Sequence, residues 1–207
     1  MSVPPLPSGY DVPKRVDAGR PDCNITVGFD RERGYIPRFL VQLHYRVDTD
    51  PVRWTELARM DHNETDPLGH DVYQEGLHVD VARRSGDTVH LDVRHSPLAT
   101  NRGMVVRRCV DYFKREAAYF VDVYEGRISP GGPPRWSDGG DPPHTLIRES
   151  HQFEGMSEER PADDEALSMD ELDEVLAEAT GTTAEELRRG AEEMYIAPPE
   201  EATVIDE

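Results

Sequence analysis

The sequence predicts an α+β protein: a four-stranded antiparallel meander packed on one long helix, with an acidic helical hairpin near the C-terminal end. Three observations predict it. Apolar residues alternate with polar ones across residues 39–94, broken by short turns. A single apolar stripe at helical spacing follows over residues 101–124. Beyond a Gly- and Pro-rich stretch, two helix-start signatures stand a short distance apart.

The first 34 residues include Pro4, Pro5, Pro7, Pro13 and Pro21 and show no sustained period. They read as a mostly irregular arm, with one short strand allowed at Asn24 to Phe29. The core domain is expected over 35–127. Phe39, Val41, Leu43, Tyr45 and Val47 alternate with Leu40, Gln42, His44 and Arg46, the mark of a strand with one buried face. Thr49-Asp50-Pro51 turns the chain into a second strand, from about Trp54 to Asp61, whose alternation is less clean. Residues 63–69 read as loop around Asp66-Pro67. A third strand places Leu77, Val79 and Val81 inward. Ser85-Gly86-Asp87 turns into a fourth, with Val89, Leu91 and Val93 inward. Short connections favour antiparallel neighbours.

Asn101 is the expected N-cap of the long helix. Its stripe is Val105, Cys109, Tyr112, Phe113, Ala117, Phe120, Val121 and Tyr124, and Gly126 fits the stop. Cys109 on that stripe reads as a packed core thiol. Residues 128–166 read as a linker, and 167–207 as an acidic helical hairpin and tail. Ser168 with Glu171, and Thr183 with Glu186, open the two helices, and Gly181 separates them. Each is too short to stand alone, so the pair must dock on the core, on a second copy or on a partner. Leu172, Val175, Leu176 and Leu187 are the apolar edge for that docking.

Composition narrows the classes. The net charge is −19, unevenly spread: residues 151–207 hold 19 acids and 3 bases. Only two of the 23 basic residues are lysines, Lys14 and Lys114. Such acid-rich, Lys-poor composition resembles proteins of salt-loving archaea, in which carboxylates hold water and cations. No apolar run reaches the roughly 18 residues of a membrane helix. The N-terminus lacks a signal-peptide layout, so a cytoplasmic location is expected by default. Cys23 and Cys109 stand far apart and no CxxC occurs, which argues against a structural zinc or a disulfide framework. No cofactor is expected.

The chemistry-bearing residues gather on the polar side of the sheet. If Leu43, Val79 and Leu91 face the helix, then His44, His78 and His90 face away, with Asp80 and Asp92, and Arg59 and Asp61 join them. Imidazoles, carboxylates and a guanidinium on one surface suit acid–base work. The candidate catalytic residues are His78, Asp80, Asp61, His62 and Arg59. A metal-dependent enzyme would draw instead on His70, His78, Asp80 and Asp61. The plain alternative is a solvated sheet face. On the long helix, Arg107, Arg108, Lys114 and Arg115 read as a solvated face paired through Asp111.

The order of four strands and a helix, with Arg59-Met60-Asp61-His62 and His78-Val79-Asp80 at its centre, resembles the TumE-type toxins of toxin–antitoxin pairs. The run from Gly69 to Val81 also resembles an uncharacterised domain family of salt-loving archaea. This chain has Asp80 where the toxin motif carries a second histidine. The toxin resemblance implies action on RNA or translation and an antitoxin partner, which residues 167–195 could bind. Two further readings stay open: a non-catalytic protein-interaction module and a metal-dependent hydrolase.

Overall fold

A computed structural model describes residues 3–67, 69–94, 101–131 and 166–205. The described chain is α+β, but its sheet is larger than four strands. It has seven: β1 (Val12–Val16), β2 (Cys23–Phe29), β3 (Arg38–Thr49), β4 (Val52–Asn63), β5 (Leu77–Ala82), β6 (Thr88–Arg94) and β7 (Thr203–Ile205). They lie side by side in chain order, each antiparallel to the one before. The helices are α1 (Val72–Glu75), α2 (Arg102–Tyr124), α3 (Met169–Thr180) and α4 (Ala184–Glu192).

The expected meander is the inner part, β3 to β6. The strand allowed at Asn24 to Phe29 is β2, and the correction lies at the outer flanks, where the arm also supplies β1 and the acidic tail supplies β7. A proline obscured β1. Pro13 sits inside β1, the outermost strand, where a missing N–H costs little. In β2, Ile25, Val27 and Phe29 are fully buried, a strong period-2 pattern.

The long helix forms as expected. Asn101 accepts the Gly103 amide at 2.8 Å, and the stripe from Val105 to Val121 is buried. Cys109 is fully enclosed, and burial pushes its thiol well above the ordinary range. A second face of α2, with Val106 and Val110, is buried as well. There α3 and α4 dock, each opened by a complete capping box, and Gly181 ends α3 in the left-handed conformation that glycine adopts freely. Leu172, Leu176 and Leu187 have no exposure, so the apolar edge of this pair is used within the chain. Arg107 reaches Asp173 of α3 at 2.8 Å, while Asp111 pairs with Arg108 and Arg115. The expected linker, 128–166, lies mostly outside the described residues.

The face of the sheet turned away from α2 is half covered. Residues 3–10 run across its β1–β3 side, with Pro4 and Pro7 buried. Arg15 donates to the Pro4 carbonyl at 2.9 Å. Gly28 allows this close approach: a Cβ there would stand 2.7 Å from the Tyr10 ring and 2.9 Å from Pro7. Gly28→Ala is therefore expected to cost about 1–3 kcal/mol, the usual penalty of overpacking. Urea denaturation checks it, and an unchanged midpoint would mean that the segment lifts away freely.

Candidate functional site

Cross-strand partners share a sheet face, so the register decides which side chains meet. On the face away from α2, Thr26 pairs with Gln42, Gln42 with Arg59, Arg59 with Asp80 and Asp80 with His90. A polar row thus crosses five strands. Its covered end is structural: His44, on the same face, is buried and lies 2.9 Å from the Thr26 hydroxyl. Its open end is the site.

Asp80 is the centre. Its Oδ2 accepts from Arg59, with Nε and the terminal nitrogen both at 2.9 Å. Its Oδ1 lies 2.6 Å from His90 Nδ1 and 3.6 Å from His78 Nε2. Burial alone would raise this carboxyl, but the hydrogen bonds from His90 and Arg59 outweigh burial and hold it below the usual range. Burial first, and then neighbouring His70, keep His78 below the ordinary imidazole range, against the pull of Asp80 and Asp61. His78 is therefore a neutral ring near neutral pH. The His70 ring stands 4.0 Å from it, edge-on, with Nδ1 2.5 Å from Glu75 and Nε2 3.2 Å from the Gly76 carbonyl.

His70, Glu75, His78 and His90 line a pocket of about 210 Å³ with Leu77, Asp92 and Ile205, the last supplied by β7. No Lys or Arg lines it. Wider hollows of about 300, 320 and 420 Å³ lie elsewhere, and no histidine lines any of them. His78, Asp80 and His90 each offer a ligand atom, all within 4.8 Å of one another.

Of the five residues singled out in the sequence, Arg59, His78 and Asp80 come together here. Asp61, on the same face of β4 as Arg59, acts on His78 by its charge. His62 does not join them. β4 runs on to Asn63, so alternation turns His62 to the helix side, fully enclosed with its ring 5.4 Å from that of Phe39. There it faces Glu64 at 3.5 Å and Asp71 at 3.8 Å. These three also place ligand atoms close together, and Arg102 bonds Glu64 at 2.7 Å, but the cluster lies on the helix side, where His62 is fully enclosed. His90 was missing from the five, although the hairpin turn at 85–87 and its outward position both pointed to it. Glu75 was missed because the four-residue α1 has too little sequence to show a period.

The fold and this pocket define a class: an antiparallel α+β protein with a histidine–carboxylate pocket on its sheet. The chain belongs to the family described as Domain of unknown function (DUF7718), which it matches over residues 14–129, from β1 to just past α2. No curated protein and no solved structure matches it. No helix among the described residues is long and apolar enough to cross a membrane.

Proposed function

We propose that the sheet pocket binds a divalent transition metal through His78, Asp80 and His90, and that the protein is a metal-dependent hydrolase. One observation carries the reading: two imidazoles and a carboxylate converge within 4.8 Å beside a pocket that no Lys or Arg lines. Two nitrogens and one oxygen suit zinc, iron(II) or manganese(II). Arg59 holds the far oxygen of Asp80 and so aims the near one at the histidines, the kind of support that metal ligands need. Three protein ligands leave room for water, whose proton a bound metal makes easier to lose. Glu75 and Asp92 are the carboxylates on the pocket wall that would be available to accept it.

The toxin reading has one observation of its own. The Asp80–His90 pair and the neutral ring of His78 form an acid–base set that needs no metal. The surroundings favour it less: Glu75 and Asp92 line the pocket, Asp61 acts on His78 by its charge, Arg59 is already bound to Asp80, and the chain has a net charge of −19. A phosphodiester polymer would be repelled there, whereas a cation would be drawn in.

The test is a thermal melt of chelator-stripped protein with added zinc, manganese(II) or iron(II). Binding at 100 times Kd is expected to add about 2.7 kcal/mol of stability. His78→Ala and His90→Asn should each abolish most of that gain. Stripped protein that none of the three metals stabilises would sink the proposal.

A further inference from the structure

The sheet parts at one place. β4 is 12 residues long, yet β5 pairs with it at two positions, Ala58 with Val81 and Arg59 with Asp80. Toward the β3–β4 turn a cleft of about 320 Å³ opens between them. Arg53 and Trp54 of β4, Arg84 of the β5–β6 turn, and Tyr124 and Glu125 at the end of α2 line it. A second hollow of about 300 Å³ shares Arg84, Tyr124 and Glu125 and adds Arg83 and Ser85. The histidine pocket lies beside the first residues of β5, and this cleft lies past its last.

The local charge runs against that of the chain. Among the described residues, the two hollows are lined by three arginines and one carboxylate, Glu125, in a protein of net charge −19. Arg84 meets Glu125 at 3.3 Å and Arg53 meets Asp48 at 3.4 Å, but the arginine side chains are 72% and 66% exposed. Such pairs hold weakly in water, so an anion competes for both arginines. No carboxylate among the described residues pairs with Arg83. The turn that carries Arg83 and Arg84 is fixed by its own backbone. The Arg83 amide donates to the Asp87 carbonyl at 2.9 Å, and the Gly86 amide to the Arg83 carbonyl at 3.0 Å. Trp54 and Tyr124 are half-buried, and Tyr124 stands edge-on to Tyr45 with ring centres 6.4 Å apart.

We propose that this double hollow binds a nucleoside phosphate, with its base against Trp54 and its phosphates between Arg83 and Arg84. Guanidinium forks match phosphate oxygens, and an aromatic side chain offers a base a stacking surface. Glu125, common to both hollows, faces the sugar between them and accepts from its hydroxyls. An anion without a ring would leave Trp54 unused. The site needs no metal and stands independently of the histidine pocket.

Trp54 itself reports binding. With Trp136→Phe as background it is the sole tryptophan, and its fluorescence follows the cleft. The diphosphates of adenosine, guanosine, cytidine and uridine are titrated into the full chain, beside the free nucleosides and inorganic pyrophosphate. At least one diphosphate is expected to quench Trp54 saturably. Its nucleoside and pyrophosphate should each bind about tenfold more weakly. Arg83→Gln and Arg84→Gln should each cost that diphosphate about tenfold in affinity, with the urea midpoint unchanged. In Trp54→Leu, followed by calorimetry, the preference for the diphosphate over pyrophosphate should vanish. Failure of every diphosphate to bind by about 1 mM overturns the proposal. So does pyrophosphate that binds as tightly as the best nucleotide, or nucleotide binding that survives both arginine substitutions.

Discussion

Replacing Asp173 by alanine is expected to remove about 3–5 kcal/mol of the stability that holds α3 and α4 on α2. Asp173 has no exposure and sits between two guanidinium groups, Arg107 Nε at 2.8 Å and Arg188 Nε at 3.2 Å. Arg188 is half exposed and can return to water. Arg107 cannot, because its side chain is only 11% exposed and is pinned in the interface. Without its partner it is a buried, uncompensated charge, and that penalty dominates. The loss reflects the broken pair and not its net worth, so the double replacement Arg107→Met with Asp173→Leu should recover most of it. Chemical denaturation of the three variants, with proteolysis to report undocking of the helix pair, makes the comparison. A loss below about 1 kcal/mol for Asp173→Ala would show that Arg107 finds water in the folded chain.

Acidification should destabilise the protein through His44. This ring is buried under the covered half of the sheet, and burial first, then the Arg15 charge, bring its pKa down to about 4. The sign follows from where the proton goes. Between pH 6.5 and about 4 the unfolded chain protonates His44 and the folded chain does not. Stability from this group is therefore complete above pH 6.5 and is lost as pH falls, by about 3 kcal/mol in all. His62 and His78, both held low by burial, act in the same direction. His44→Gln isolates the contribution, since its amide can still meet Thr26. Denaturation midpoints measured from pH 7 to 4 should decline less steeply in the variant. Parallel curves would exclude His44 as the source.

The central strands, the long helix and both capping boxes were legible because each rests on local signals: alternation, an apolar stripe, a side chain placed to cap. The polar cluster was legible for the same reason. Arg59, His78 and Asp80 followed from alternation and from the pairing of the second and third predicted strands. What was hidden depends on distant contacts. β1 reads as proline-broken until its place at the sheet edge removes the objection to Pro13. β7 is three residues in an acidic tail, and only its pairing with β6 makes it a strand. His62 was grouped with the site because the strand was read as ending near Asp61; the strand runs two residues further, and alternation turns His62 to the helix side. Leu57 and Ala58 blurred that pattern: both are fully buried, since a register shift lies opposite them in β3.

The match between strand order and chain order bears on how the molecule is made. Each strand from β2 to β6 pairs with the one synthesised just before it, so the sheet can grow hairpin by hairpin with short loops to close. β7 breaks that economy, because Ile205 must return to His90 after α2, α3 and α4 have been built. The imidazoles of the pocket are thus the part of the sheet left open longest on a growing chain. If the pocket binds a metal as proposed, the ion would reach these rings before the last wall arrives, and the closing strand would settle over an occupied site.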